Sequence, residues 1–305
     1  MNSKFTLPAF AKINLYLEIL GKRDDGFHEL CTVFQTISLC DYLTFEASEE
    51  LSLTCDVESV PTDETNLIIK AANVLREKFS ITKGVKIHLE KNIPSPGGLG
   101  GGSSDCAVAL IGLTKLWNLE ISLEELVEIG AKLGSDVPFF FYGGTALGTG
   151  RGTEIKPLED IEETKILLVT PDENVPTGEA FARLNTQRLT NESEKSKFIV
   201  CCEVGNRFNT QQFEWKNDFE KSVFEIKPEI KRVKNRLIQI GAKNALLSGS
   251  GASVFGIFDN EISRQLAFET LQNETTWRKF VCETISRKRF LDSLKPCEHL
   301  LPKSF

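Results

Sequence analysis

The run Pro94-Ser95-Pro96-Gly97-Gly98-Leu99-Gly100-Gly101-Gly102-Ser103-Ser104-Asp105-Cys106-Ala107 constrains this chain more than any other stretch. Five of its residues are glycine, and a mostly apolar segment, Val108 to Leu119, follows at once. Glycine lets a backbone take positive φ and lets a ligand approach with no Cβ in the way. Successive N–H groups can then turn inward around an anion. The apolar segment reads as a helix, whose amino end would aim unpaired N–H groups and the positive end of its dipole at the same spot. A glycine loop feeding a helix is a phosphate site in physical terms, and it implies a nucleotide-binding protein of the kinase type. Two common phosphate motifs fail on inspection. G-x-G-x-x-G occurs in no register, and Ser103 and Ser104 follow the Gly97–Gly102 spacing where a P-loop needs Lys and then Ser or Thr. A flexible linker is the alternative, but linkers rarely run straight into a buried helix.

At 305 residues the chain is too long for one ordinary core, which predicts two domains, 1–160 and 161–305. Its 41% hydrophobic and 26% charged residues are those of a soluble globular protein. A net charge of −7 with no long basic run argues against a nucleic-acid partner. Eight cysteines without a C-x-x-C pair, Cys201-Cys202 being the only close couple, read as reduced thiols of a cytoplasmic protein. Lys12, Asn14 and Glu18 interrupt the apolar amino end, so neither a signal peptide nor a membrane span is expected.

In chain order, Lys12 to Ile19 alternates as a strand, with Ile13, Leu15, Leu17 and Ile19 on one face and Lys12, Asn14, Tyr16 and Glu18 on the other. Pattern alone makes Lys12 a solvent-facing lysine. Asp24-Asp25-Gly26 is turn chemistry, and Phe27-His28-Glu29 leads into a second strand, Leu30 to Leu39. Residues 41–60 suggest an exposed hairpin, 66–79 a helix, and Val85 to Leu89 a strand carrying a structural His88. Ser122-Leu123-Glu124-Glu125 is a capping box opening a second helix that Gly134 ends. Asp136 then sits between that helix and Phe139-Phe140-Phe141, read as a buried strand. Such a carboxylate is either paired with a cation or has a raised pKa, or else it is a turn aspartate bonding its own backbone, and the pattern does not choose. Gly148-Thr149-Gly150-Arg151-Gly152 marks a hairpin turn. The second half reads as Lys165–Thr170 (strand), Gly178–Leu184 (helix), a patchy polar stretch over 185–222, Pro228–Ile240 (helix) and Ala245–Leu247 (strand). A small-residue loop over Ser248 to Ser253 leads to Val254–Phe258 (strand), Glu261–Leu271 (helix) and Phe280–Ile285 (strand). The order β-α-β-β-α-β suits a ferredoxin-like domain.

Together, Pro94 to Ala107, Asp136-Val137-Pro138 and Ser248-Gly249-Ser250-Gly251-Ala252 resemble the motifs of the GHMP small-molecule kinases. Ala11-Lys12-Ile13-Asn14-Leu15 and Asp25-Gly26-Phe27-His28-Glu29-Leu30 resemble the branch acting on a cytidine-diphosphate-linked sugar alcohol. The resemblance spans about Ala9 to Ser286. It implies an α+β, two-domain GHMP architecture, with an N-terminal ribosomal-S5-like ATP-binding domain and a C-terminal ferredoxin-like domain. It also implies an enzyme that moves the ATP γ-phosphate to an alcohol of a small-molecule substrate.

By the same resemblance, Pro94, Ser95, Pro96, Gly97, Gly98, Leu99, Gly100, Gly101, Gly102, Ser103 and Ser104 would wrap the ATP phosphates. Asp136 would be the catalytic carboxylate, with Lys12 beside it orienting the acceptor hydroxyl. His28 would read the cytosine edge while Phe27 and Phe181 stack on its faces. Asn14, Thr177, Ser248, Gly249 and Ser250 would complete the substrate site. Mg2+ is expected for any ATP kinase, with Ser104 its best contact and no acidic ligand identifiable. Phe27 stands where the family often has Tyr, Pro96 where another Gly is usual, Asp105 where Asn is usual, and Phe10 where Pro is usual. Two alternatives stay open: a homoserine- or mevalonate-type kinase, which would have no base to stack on Phe27, and a catalytically silent nucleotide-binding protein.

Overall fold

The computed structural model describes residues 4–184, 204 and 214–302. Cys201, Cys202 and most of the polar stretch read over 185–222 lie outside the described residues. The first sheet is built on two long antiparallel strands, β1 (Phe5–Lys22) and β2 (His28–Ser48). The single strand β2 covers both the expected strand over Leu30–Leu39 and the first part of the expected hairpin. That hairpin is not formed. Strand β3 (Leu51–Cys55) runs parallel to β4 (Gly84–Glu90), and β4 lies between it and β2. The chain between β3 and β4 contains α1 (Leu67–Phe79), capped by the Asn66 side chain accepting from the Ile68 N–H.

The glycine run opens into α2 (Gly101–Trp117), which starts inside the glycines rather than at Val108. It is buried on nearly every side, as a helix apolar all round must be, and packs against the sheet, α1 and α3 (Leu123–Leu133). Ser122 caps α3 by accepting from the Glu125 N–H. Phe139, Phe140 and Phe141 are buried as expected but form a short 3-10 helix, Val137–Phe141, not a strand. A hairpin, β5 (Thr145–Thr149) and β6 (Glu154–Pro157), then extends the sheet beside β2.

The second sheet contains β7 (Lys165–Pro171), β9 (Asn244–Leu247), β10 (Val254–Phe258) and β11 (Trp277–Glu283), in the order β11-β7-β10-β9 and antiparallel throughout. Between β7 and β9 come α4 (Thr177–Ala182), the two-residue β8 (Lys216–Asn217), α5 (Phe219–Ile226) and α6 (Pro228–Gln239). Helix α7 (Glu261–Thr270) joins β10 to β11. This is the ferredoxin-like order read from the sequence.

Two pieces of the second half return to the first. Strand β8 pairs in parallel with Tyr16 and Leu17 of β1. Helix α8 (Arg287–Ser293) and the turn after it bury Phe290, Leu294 and Cys297 in the core beneath the first sheet. Between the two sheets, Ile13, Leu15, Val33, Leu168, Leu246 and Phe255 form a shared apolar layer. Leu7 and Ala9 of β1 belong to the first core, whereas Ala11, Ile13 and Leu15 belong to that shared layer. The change falls at a shift in strand register between Phe10 and Lys12, the kind of irregularity that re-aims side chains.

Candidate active site

Lys12 is not solvent-facing. Its side chain is 4% exposed. An ammonium there needs partners, because burial of an unpaired charge is costly. The Lys12 Nζ donates to Asn14 Oδ1 at 2.8 Å, Asn14 Nδ2 donates to Thr32 Oγ1 at 2.8 Å, and Thr32 Oγ1 donates to the Tyr16 carbonyl at 2.7 Å. The alternation that put Lys12 and Asn14 on one face of β1 therefore produces a buried relay between β1 and β2.

Asp136 Oδ2 lies 3.4 Å from Lys12 Nζ, and its side chain is 33% exposed. It precedes the 3-10 helix and makes no capping bond with its own side chain, so of the readings open for this aspartate the cation-paired one holds. The buried Val137–Phe141 segment anchors its backbone, while the partial exposure leaves a carboxylate oxygen open to the cavity. The Phe34 ring centroid lies 5.4 Å from the ammonium.

The glycine loop is fastened to this pair. The Lys12 N–H donates to the Leu99 carbonyl at 3.0 Å. Gly98 and Gly100 have φ of 72° and 70°, the left-handed region that suits glycine. A Cβ on Gly98 would stand 2.1 Å from the Ser248 carbonyl oxygen, whereas one on Gly102 would meet nothing within 4 Å. The loop is thus tight where the second half grips it and open at the start of α2. That grip comes from the Ser248–Ser253 loop: Ser248 Oγ donates to the Gly98 carbonyl at 2.9 Å, and the Ser253 N–H to the Gly97 carbonyl at 3.1 Å.

Under the first turn of α2 lies a charged triad that the motifs did not reveal. Lys91 Nζ is 2.5 Å from Asp41 Oδ2 and 2.6 Å from Asp105 Oδ2, and all three side chains are buried. Burial pushes the Asp105 carboxyl up to about 8, with Lys91 opposing the rise and Asp41 adding to it. Asp105 is therefore mostly neutral at pH 7, and the amino end of α2 keeps its attraction for anions.

A cavity of about 730 Å³ unites these parts. Lys12, Asn14 and Asp136 line it, as do Pro94 through Ser103. Phe27, His28, Thr177 and Phe181 form another part of its wall, joined by Gly249 and Ser250. The Phe27 side is half-exposed, and the His28 and Phe181 rings stack with centroids 4.6 Å apart and planes 18° apart. Burial, and then the Lys22 charge, holds the His28 imidazole below its usual range, so the ring is neutral at pH 7 and can both donate and accept. Thr177 Oγ1 and Ser250 Oγ lie 3.1 Å apart.

Two expected site residues are not in the wall. Ser248 is fully buried and its hydroxyl is spent on Gly98, so it shapes the loop rather than meeting a ligand. Ser104 is buried just below the loop, with its hydroxyl unpartnered. An orphaned hydroxyl, glycines at positive φ in the cavity wall and an open helix start are a set that fits a polyphosphate. Thr32 and Arg151 also line the cavity and were missed, since neither carries a motif.

The sequence matches the family described as GHMP kinases N terminal domain over residues 66–144, and GHMP kinases C terminal over 206–275. The 4-diphosphocytidyl-2-C-methyl-D-erythritol kinase of Thermodesulfovibrio yellowstonii is 42% identical over 87% of this chain and 93% of its own length. The chain belongs to this family of GHMP kinases. The kinase of the same name from Bacillus cereus (strain B4264) is 37% identical over 97% of this chain and its whole length. A crystal structure of 4-(cytidine 5'-diphospho)-2C-methyl-D-erythritol kinase superposes with a TM-score of 0.75 at 31% identity, covering 92% of this chain and 99% of that one. The homoserine kinase of Cytophaga hutchinsonii shares the fold, with a TM-score of 0.68 at 16% identity over 92% of this chain and 95% of that one. Membership in a family of kinases implies use of ATP. Among the described residues, no helix is long and apolar enough to cross a membrane.

Proposed function

We propose that this protein transfers the γ-phosphate of ATP to the 2-hydroxyl of 4-diphosphocytidyl-2-C-methyl-D-erythritol, a step of the non-mevalonate route to isoprenoid precursors. The observation that carries the reading is the position of the Lys12–Asp136 pair. It lines one cavity with the glycine loop and with the aromatic wall of Phe27, His28 and Phe181. In this reading residues 1–160 hold the nucleotide, and 161–305 complete the substrate side.

The loop amides of Gly97 to Ser103 bind the phosphates and hold the γ-phosphorus in line. Asp136 accepts the proton of the acceptor hydroxyl as its oxygen bonds to phosphorus and the bond to ADP breaks. Lys12, fixed by Asn14, balances the charge that gathers there. Phosphoryl transfer depends chiefly on such alignment and charge stabilisation. Mg2+, if it accompanies the nucleotide, would neutralise charge on the phosphates, and the side chain that would help hold it is Ser104, whose hydroxyl lies unpartnered just beneath the loop. His28 hydrogen-bonds the cytosine edge and Phe27 stacks on the ring, which a homoserine- or mevalonate-type acceptor could not use.

ADP release, measured with the cytidine acceptor, homoserine and mevalonate offered in turn, tests this. Turnover with the first alone is expected. Turnover with either of the others, and none with the first, would overturn it.

A further inference from the structure

One charged residue in the cavity wall has no role in the reading above. Arg151 lies in the turn between β5 and β6, and it lines the cavity together with Phe27, His28 and Thr32. Its guanidinium carbon stands 4.4 Å from the centre of the Phe27 ring. A cation–π contact of this kind holds the group against the ring, and a guanidinium so held can still donate through its N–H groups. Lys12, the other cation of the wall, is already paired with Asp136. Arg151 is not in an ion pair among the described residues. The nearby Asp25 feels its charge but bonds Arg23 at 3.1 Å.

Strand β2 gives the scale of the acceptor site. His28 marks the base end, and Thr32, through Asn14, marks the reacting end. Four residues of extended strand separate them, or about 13 Å. The turn bearing Arg151 is fastened between these points: the Leu30 N–H donates to the Gly150 carbonyl at 2.9 Å, and Gly148 pairs with Thr32. In a 4-diphosphocytidyl acceptor, the ribose and then the diphosphate lie between the base and the reacting alcohol.

We infer that Arg151 binds the diphosphate of the acceptor, so that the cavity selects a cytidine diphosphate ester over the bare nucleoside. The inference rests on the acceptor proposed above. A guanidinium offers parallel N–H donors to two phosphate oxygens, and such charge-assisted bonds are the strong ones. Its half-exposed place in a turn makes substitution there tolerable to the fold.

The test compares CDP and cytidine as ligands of the full chain by calorimetry, for the wild type, Arg151→Gln and Arg151→Lys, with the KM for ATP measured alongside. The wild type should bind CDP more tightly than cytidine. Arg151→Gln should cut that advantage about tenfold or more, with cytidine affinity and the KM for ATP holding within about twofold. Arg151→Lys, which keeps the charge but loses the paired N–H edge, should retain only part of it. Equal weakening of CDP and cytidine would place the contact on the base and overturn the inference, as would an undiminished CDP advantage in Arg151→Gln. If the wild type binds neither ligand, the acceptor assignment itself fails, and the inference with it.

Discussion

Asp105→Asn should stabilise this protein at neutral pH and change it little near pH 4. Asp105 sits in the first turn of α2 with Oδ2 2.6 Å from the Lys91 ammonium, a cation it shares with Asp41 at 2.5 Å. Its Oδ1 is buried without a hydrogen-bond partner, and burial raises its carboxyl to about 8. In an unfolded chain the same group releases its proton near pH 4. From about pH 4 to pH 8 the folded state therefore holds a proton that the unfolded state has lost, and stability falls as the pH rises. From pH 5 to pH 7 the wild type should lose stability steadily, by an amount on the order of 1 kcal/mol per pH unit at most. An asparagine has no charge to desolvate, keeps an oxygen for Lys91, and offers an N–H towards Asp41. For a chain of this length the gap in melting temperature at pH 7 should exceed that at pH 5 by roughly a few degrees. Thermal unfolding of both proteins at pH 5, 6 and 7, followed by near-ultraviolet circular dichroism, measures it. Parallel curves, or a variant less stable at pH 7, would refute the reasoning.

Asp136→Asn should lower kcat by roughly 10²–10⁴-fold while leaving ATP affinity intact, since the lost group acts on the acceptor proton; a full loss of nucleotide binding would contradict that role. His28→Ala should raise the KM for the cytidine acceptor by about tenfold and leave the KM for ATP alone. Equal effects on both would remove His28 from the acceptor site. Gly98→Ala should raise the KM for ATP about tenfold or more, because its φ of 72° and the Ser248 carbonyl leave no room for a Cβ. Steady-state kinetics with unchanged ATP dependence would show that the loop does not need this geometry.

Much of this was legible in the residues, and for local reasons. Asn66, Ser122 and Pro228 each begin a helix by capping or by a fixed φ, so their helices were readable from neighbouring positions alone. The glycine run announced a tight loop free of side chains, and Gly98 and Gly100 do take positive φ there. What failed was non-local. Nothing within residues 41–60 says that β4 will insert beside β2, because strand partners are chosen by the whole core. Three consecutive phenylalanines fit a buried strand or a buried turn equally well, and Pro138 next to them tips the chain into a 3-10 helix. Alternation placed Lys12 and Asn14 on one face but could not tell whether that face met water. Arg151 had no signal at all beyond its glycine neighbours.

The return of α8 beneath the first sheet bears on how the molecule is made. A ribosome delivers the amino-terminal half first, yet Phe290 and Leu294 fill part of the interior that half must enclose. Until those late residues emerge, the amino-terminal lobe is a vessel without its base plate. It must wait, partly open, for the far end of its own polypeptide to seal it.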